Sequence, residues 1–511
     1  MIEIRRVFEV RAAEEKAFMQ VAEGALMQRA AMGLGVTVAA LLREARGELR
    51  GSRVVLLIGS GNNGGDALWA GAMLAERGCR VDALALGERW HHEGAGALVR
   101  AGGRMHRWSN DDESLQAIVA DGDVAIDGIL GIGGAGAVRP DAATLLDAVA
   151  ASDAFVVAVD VPSGVDADTG AVAGAAVDAD VTVTFGAVKP GLVVSPGTLR
   201  CGSTVLIDIG LEFDTEPLIN VLEAIDVADW VREPAADSYK YARGVVGISA
   251  GSGAYPGAAL LAVGAARHGN VGMTRYLDRA DGNAAAVVTA FPELIIDGTA
   301  PKDQTRADAW AAGPGFPGDD TDDITVKAVV EAPVPVVLDA GALSIVAEST
   351  AVRAAIVDRA QRSLVTVITP HEGEFERILP GLLASSSGRC EAAVSAAASL
   401  SAIVVLKGPG TVIASPDGSV YVDTEGTSEL GTAGSGDVLT GLVGALLAGA
   451  WADGRRTLAE LHAAVAAAVW LHGRAGRIAA LGGPVVAPGI AAAVPEAIRF
   501  ARYGDVGDRS S

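Results

Sequence analysis

The sequence predicts an α/β protein of two domains with mostly parallel sheets. Strand-like and helix-like segments alternate along the whole chain. Several strands run into glycine-rich turns followed by Ala- and Leu-rich stretches of high helix propensity, such as "ALWAGAMLAERG". One acidic, proline-bearing passage, "DTEPLINVLEAIDVADWVREPAADSYK", breaks the alternation and places a boundary near residue 222. The domains expected are therefore 1–222 and 223–511, each of a size that folds as one unit.

The strands expected in the first half are "RVVLLIG" at 53–59, "DVAIDG" at 123–128, "FVVAVD" at 155–160 and "VTVTFG" at 181–186. In the second half they are "GVVGISAG" at 244–251, "VPVVLDAG" at 334–341, "LVTVITP" at 364–370 and "AIVVLKG" at 402–408. Composition narrows the function. With 50% hydrophobic residues among 511 the chain can bury large cores. A formal charge of −23, from 40 Lys plus Arg against 63 Asp plus Glu, argues against nucleic acid or a membrane surface as partner. Any anionic ligand must then be held by local donors.

Cys79, Cys201 and Cys390 form no C-x-x-C pair, so neither a disulfide framework nor a zinc knuckle is supported. A reducing, cytoplasmic location fits them. The N-terminus carries Glu3, Glu9, Glu14 and Glu15 and does not read as a signal peptide. The longest apolar run, Val438 to Ala452, is about 15 residues long, below the ~18 expected of a membrane span.

The first glycine turn, "GSGNNGGD", follows a strand and opens a helix. Gly59, Gly61, Gly64 and Gly65 permit positive φ and close backbone approach, and a helix N-terminus favours an anion. Asn62 and Asn63 offer amide oxygens to a hard cation, or else take left-handed turn conformations while Asp66 caps the helix. "DGILGIGGAGA" puts Asp127 beyond a second strand and "VDVPSG" puts Asp160 and Ser163 beyond a third. Ligands of open α/β sheets gather at such carboxyl ends, so these loops should share one crevice.

In this order, and with "TFGAVKPGL", these motifs resemble the NAD(P)H-hydrate epimerase domain across nearly all of residues 1–220. The resemblance implies a Rossmann-like three-layer fold and a potassium ion held by Asn63, Asp127 and Ser163. It implies contacts to a hydrated nicotinamide nucleotide from Asn62, Asn63, Gly64, Gly65 and Asp66. Further contacts would come from Gly131, Ile132, Gly133, Gly134, Ala135, Gly136 and Ala137, and from Asp160, which is also the candidate acid/base. Lys189 could assist, contact phosphate, or be a surface lysine.

In the second half, the loop "GTAGSGD" leads into the apolar "VLTGLVGALLAG". Its amides can cradle phosphate, or Asp437 can simply cap a helix whose glycines are packing residues. There is no Walker signature, so positive charge must come from elsewhere. "AAGPGFPGDD" supplies Gly313 and Gly315 for close approach, "TPHEGEFERI" supplies His371, Glu372 and Glu374, and "LKGPGT" supplies Lys407 before a turn.

With "AGSGAYPGAALLAVGAARHG", "VVLDAGAL" and the terminal "GSGD", residues from about 240 to 480 resemble the ribokinase-like ADP-dependent NAD(P)H-hydrate dehydratase. That implies a ribokinase-like α/β domain in which Gly434 and Gly436 stabilise a transferring phosphoryl group and Asp437 is the base. Ala258, Gly315, His371 and Asp437 would bind the hydrate, and Lys407, Gly408, Pro409, Gly410, Thr411 and Gly436 the adenine nucleotide. The implied partners are hydrated NADH or NADPH, ADP as phosphoryl donor with Mg²⁺, and further copies of the chain in a homo-oligomer. Rival readings are a kinase of a small alcohol and a non-catalytic nucleotide sensor. The chain departs from the pattern at Gly341, where an aspartate is common, in lacking a His before Lys240, and at Ala433 and Ser435.

Overall fold

The computed structural model describes residues 1–134, 136–279, 283–298 and 306–504; Ala135, named above as a ligand contact, lies outside them. The chain divides into two compact units, Glu3–Pro217, and Leu218–Ser511 together with Met1–Ile2.

In the first unit seven strands lie in the order Arg104–Arg107, Arg80–Ala85, Arg53–Ile58, Val124–Gly128, Phe155–Val159, Val181–Phe185 and Ser203–Ile207. All neighbours are parallel. The direction of winding reverses between Arg53–Ile58 and Val124–Gly128, and it is beside this reversal that a doubly wound sheet opens a crevice. Alternate residues of Arg53–Ile58 build separate cores. Val54, Leu56 and Ile58 pack with Leu34, Val38 and Leu42 of the helix Ala25–Arg46 and with Leu74 of the helix Asn62–Glu76. Val55 and Leu57 pack instead with Leu145 and Val149 of the helix Pro140–Ala150. This period-two partition explains the unbroken apolar run "VVLLI": both faces of the sheet are covered, giving three layers.

The sheet of the second unit runs Ile219–Val221, Val420–Asp423, Thr411–Ala414, Ile403–Leu406, Thr366–Ile368, Val336–Leu338, Ala309–Ala312, Val245–Ser249, Met273–Leu277 and Ile295–Asp297. From Ile403–Leu406 to Ile295–Asp297 it is parallel. Thr411–Ala414 is antiparallel to both its neighbours, so the chain turns back in a hairpin immediately after Lys407.

The apolar helix Ser435–Ala452 is buried on most of its surface, among Val246, Ile248, Ala262 and Leu461. Two helices among the described residues, this one and Ala25–Arg46, are long and apolar enough to cross a membrane by length and composition. The sequence expectation counted only from Val438; the helix begins at Ser435, and packing within the unit accounts for its apolarity.

Arg359 is a structural charge on the helix Thr350–Gln361, 1% exposed. Its guanidinium donates to the carbonyls of Val330 (2.8 Å), Ala332 (2.5 Å), Val334 (2.6 Å) and Val365 (3.1 Å) and to Thr366 Oγ1 (3.0 Å). Burial pushes it down to about 10. Removing one side of such a buried network strands the other side without water, at about 3–5 kcal/mol. Arg359→Leu should therefore lower the unfolding free energy of the second unit by that amount, read as a lower urea midpoint at unchanged slope, while the first unit's transition stays in place, measured by two-probe denaturation.

Candidate functional site

In the first unit, crowding at the strand ends dictates the glycines. A Cβ at Gly59 would lie 2.0 Å from the Ile129 carbonyl oxygen, and one at Gly64 2.5 Å from that of Gly59. None of Gly59, Gly61, Gly64 and Gly65 has positive φ, so close approach, not left-handed backbone, is what the turn requires. Asn62 and Asn63 are the first residues of the helix Asn62–Glu76, which starts at Gly61 with no side-chain cap. The left-handed turn and the Asp66 cap are thus both overturned.

Asn63 instead reaches across the crevice, donating from Nδ2 to the carbonyls of Leu130 (3.1 Å) and Val159 (2.7 Å). A Cβ at Gly131 would meet the Asn63 side chain at 2.3–2.5 Å, so the two residues are fitted to each other. Asp127 is fully buried and accepts from Ser163 N (2.8 Å), Ser163 Oγ (2.7 Å) and Ile129 N (3.2 Å). Burial outweighs these bonds and pushes it up to about 6. Asn63, Asp127 and Ser163 are thereby gathered around Leu130, whose N–H donates to Ser163 Oγ at 2.9 Å.

Asp160 sits just past the strand Phe155–Val159 with φ 67°. It accepts from Lys189 Nζ (2.5 Å) and Thr184 Oγ1 (3.1 Å). Lys189, 1% exposed, also donates to Thr184 Oγ1 (3.0 Å) and the Phe185 carbonyl (2.9 Å). It is neither a surface lysine nor a free phosphate ligand, and the available signal was a charge inside the otherwise apolar "FGAVKPGLVV".

Two further carboxyls lie within the field of Asp160. Burial, then the charges of Asp160 and Glu14, push Asp66 well above the usual carboxylate range. Glu14, half-buried on the helix Val7–Phe18, is raised by burial and Asp160 against the opposing pull of Lys189 and Arg11. Near a helix N-terminus a carboxylate gains about 0.3–1 kcal/mol. Burying an unpaired one costs several, so for Asp66 burial wins.

In the second unit the loop 431–436 delivers the helix Ser435–Ala452 with Gly434 in a left-handed conformation, φ 85°. Among the described residues the amides of Gly436 and Asp437 have no backbone partner. Asp437 makes no cap bond, so the capping alternative fails. Burial and the nearby Asp339 charge push it up to about 7, against Lys407. His472, a buried imidazole lowered to about 4 by burial, braces the loop through Nε2 at the Ser435 carbonyl (3.0 Å).

Lys407 enters from the neighbouring strand end. Its Nζ donates to Asp339 Oδ1 (2.9 Å) and lies 3.7 Å from Glu374 Oε2. Burial alone would lower it, but the carboxylates of Asp339 and Glu374 leave it raised. The other Asp339 oxygen takes Thr440 Oγ1 at 2.6 Å. Asp339 and Thr440 are the members of this cluster that the motif reading did not name; Glu374 came with "TPHEGEFERI".

The turn holding Asp339 is strained and crowded. Ala340 has φ 47° and ψ −116°, a region that costs about 1–3 kcal/mol for a residue with a Cβ. Gly313, φ 121°, would drive a Cβ to 1.8 Å from the Asp339 carbonyl oxygen. Gly341 would place one 2.5 Å from Phe316 Cβ, which explains its departure from the expected aspartate. Gly315, φ 71°, abuts Ala258 so closely that an added Cβ would lie 2.8 Å from the Ala258 Cβ.

His371 accepts from Gly373 N (3.0 Å) and Glu374 N (3.3 Å), starting the helix Glu372–Ile378 while remaining exposed. The turn after Lys407 uses Gly408 at φ 147° and Gly410 at φ 62°, closed by Thr411 Oγ1 on the Gly408 carbonyl at 2.9 Å.

A family model described as NAD(P)H-hydrate dehydratase matches residues 246–488, and one described as YjeF-related protein N-terminus matches 23–191. A bifunctional NAD(P)H-hydrate repair enzyme from Mycobacterium tuberculosis strain H37Rv is 40% identical over 443 residues, covering 86% of this chain and 88% of the relative. The chain belongs to the bifunctional NAD(P)H-hydrate repair enzyme family. The Corynebacterium glutamicum member is 33% identical over 523 residues, covering 87% and 88%. Among solved structures, an ADP/ATP-dependent NAD(P)H-hydrate dehydratase from Bacillus subtilis co-crystallised with ATP/Mg²⁺ is 28% identical, with TM-score 0.46, covering 55% of this chain and 98% of that one.

Because the Asp339 charge adds to burial in holding the proton on Asp437, Asp339→Asn should move the Asp437 titration from about 7 to lower pH. Carboxyl carbon NMR of ¹³C-aspartate-labelled protein reads this directly, and an unmoved midpoint would contradict the coupling.

Proposed function

We propose that the first unit interconverts the R and S epimers of hydrated NADH and NADPH, and that the second dehydrates the S epimer at the expense of ADP. The observation that carries the second half is Asp437: uncapped, poised to about 7, beside two unpartnered amides and within the field of Lys407. A base with that poise can take the proton of a substrate hydroxyl near neutrality. The hydroxyl oxygen then attacks the terminal phosphorus of ADP. AMP leaves, and the amides at 436–437 with Lys407 balance the charge spread over the moving phosphoryl group. Phosphate is a far better leaving group than hydroxide: it departs with the bonding pair, the neighbouring ring carbon gives up a proton to water, and the electrons of that C–H bond restore the ring double bond.

Ala258 and Gly315 would wall the hydrate, with His371 at its edge. Lys407, Gly408, Pro409, Gly410, Thr411 and Gly436 would take the nucleotide. Among the described residues no group of three or more His, Cys, Asp or Glu gathers as a metal cage. Mg²⁺ would therefore ride on the ADP phosphates and neutralise them.

In the first unit Asn63 Oδ1, Asp127 and Ser163 Oγ are hard oxygen donors, and among the described residues no cationic side chain offsets the buried Asp127. They fit a potassium ion, which when bound would offset that charge and fix the crevice loops. The loop from Gly131 to Ala137 and the turn 62–66 would enclose the hydrate beside Asp160. We place this work in the reducing cytoplasm, in keeping with the free thiols of Cys79, Cys201 and Cys390.

The test supplies mixed hydrate epimers with ADP and follows reduced-nicotinamide absorbance. Wild type should recover all of it. Asp160→Asn should recover only the S fraction promptly, and Asp437→Asn should lose dehydration by about 10²–10⁴-fold while still binding ADP. A stable phosphorylated alcohol in place of AMP and reduced nicotinamide would replace this reading with a small-alcohol kinase.

A further inference from the structure

We infer that Asp66 is the general acid of the epimerase unit, the protonated partner of an ionised Asp160. The inference rests on the epimerase reading above and assigns a second reacting group within that crevice. Turning over a carbinol carbon through a planar intermediate needs a proton given on one side and taken on the other, so one carboxyl must be protonated while its neighbour is not.

The structure separates the two. Asp160 has its cation, Lys189, at 2.5 Å, with Thr184 Oγ1 completing the contact. Asp66 is 6% exposed and, among the described residues, its Oδ1 has no hydrogen-bond partner, although it lies within the field of Asp160 and Glu14. An uncharged carboxylic acid is the form that such a site tolerates.

The other charged or titratable groups about Asp66 are engaged elsewhere. Lys189 is committed to Asp160, and Arg11 acts on Glu14. His91, packed against Gly65, spends Nδ1 on the Gly94 amide at 3.0 Å. The Asn63, Asp127 and Ser163 cluster turns its polar atoms to one another and to the carbonyls of Leu130 and Val159.

The step balances. Hydration of the ring's enamine places the hydroxyl on the carbon bonded to nitrogen, where the nitrogen lone pair stabilises a cation. The Asp66 carboxyl gives its proton to that hydroxyl; the C–O bond breaks and water leaves with the bonding pair. The lone pair forms C=N⁺, leaving the carbon planar. A water on the opposite face forms the new C–O bond and yields a proton to Asp160. One proton is consumed and one released, and the two carboxyls have exchanged states. Proton return from Asp160 to Asp66, past Lys189 and Glu14, resets the pair, and the same groups serve the reverse direction.

The full-length chain, with mixed epimers and ADP, separates this assignment from the reading beneath it. The prompt phase reports dehydration of the S epimer and the later phase reports epimerisation. Asp66→Asn should slow the later phase by about a hundredfold or more and lower its kcat rather than merely raise its KM, with the prompt phase unchanged.

Glu14→Gln, which removes a negative neighbour without touching the acid, should shift the high-pH limb of epimerisation to lower pH. It also provides the test if Asp66→Asn does not fold. If wild type does not hasten the later phase over the spontaneous rate, the epimerase reading and this assignment fall together. If wild type does and Asp66→Asn matches its kcat, or Glu14→Gln leaves the limb in place, the assignment alone is overturned.

Discussion

In each unit the candidate site is built on a lysine drawn down onto an aspartate at the carboxyl end of a parallel sheet. Lys189 on Asp160 and Lys407 on Asp339 are the fixed charges from which the neighbouring groups take their protonation. A lysine in such surroundings is stable only while its carboxylate stays in place, and a carboxylate without one is driven neutral. Two Asp–Lys pairs therefore do opposite jobs for the carboxyls beside them. One leaves Asp66 without a cation of its own, and the other lets Asp437 hover between its two states.

The strand-end crowding supports this arrangement. Gly59, Gly64, Gly131 and Gly313 allow backbone carbonyls and the Asn63 amide to approach closer than any Cβ would permit. The strain at Ala340 and the left-handed Asp160 mark the two places where backbone conformation is spent to aim a carboxylate. Packing elsewhere over-determines both: Asp339 is pinned through its backbone N–H to Ala312, and Asp160 through its own to Val183.

Much of this was legible in the sequence. The apolar runs at 53–59, 155–160 and 402–408 became buried strands because period-two patterning is lost when both faces of a sheet are covered. The motifs named most of the residues that now line the strand ends. In "GSGNNGGD" the sequence leaves positive φ and close approach both open, and the structure takes close approach at Gly59 and Gly64, because a sequence shows that a side chain is absent but not whether φ or a neighbour's carbonyl demands it. Lys189, Asp339, Thr440 and Glu14 went unassigned for a related reason. Each acquires its role from a partner distant in sequence, such as Thr440 from Asp339 at 101 residues' separation, and no local pattern encodes such a pairing.

The hairpin that follows Lys407 has a kinetic consequence. Val404, Val405 and Leu406 are paired across to Ala414, Ile413 and Val412, so the segment 407–411 is tethered at both ends by its own strands. A loop so short and so tied has little freedom left to surrender, since closure entropy grows with the length of free chain. A nucleotide bound there, as proposed, would meet a seat already shaped, and its capture would be governed by diffusion and charge, with no wait for the loop to settle.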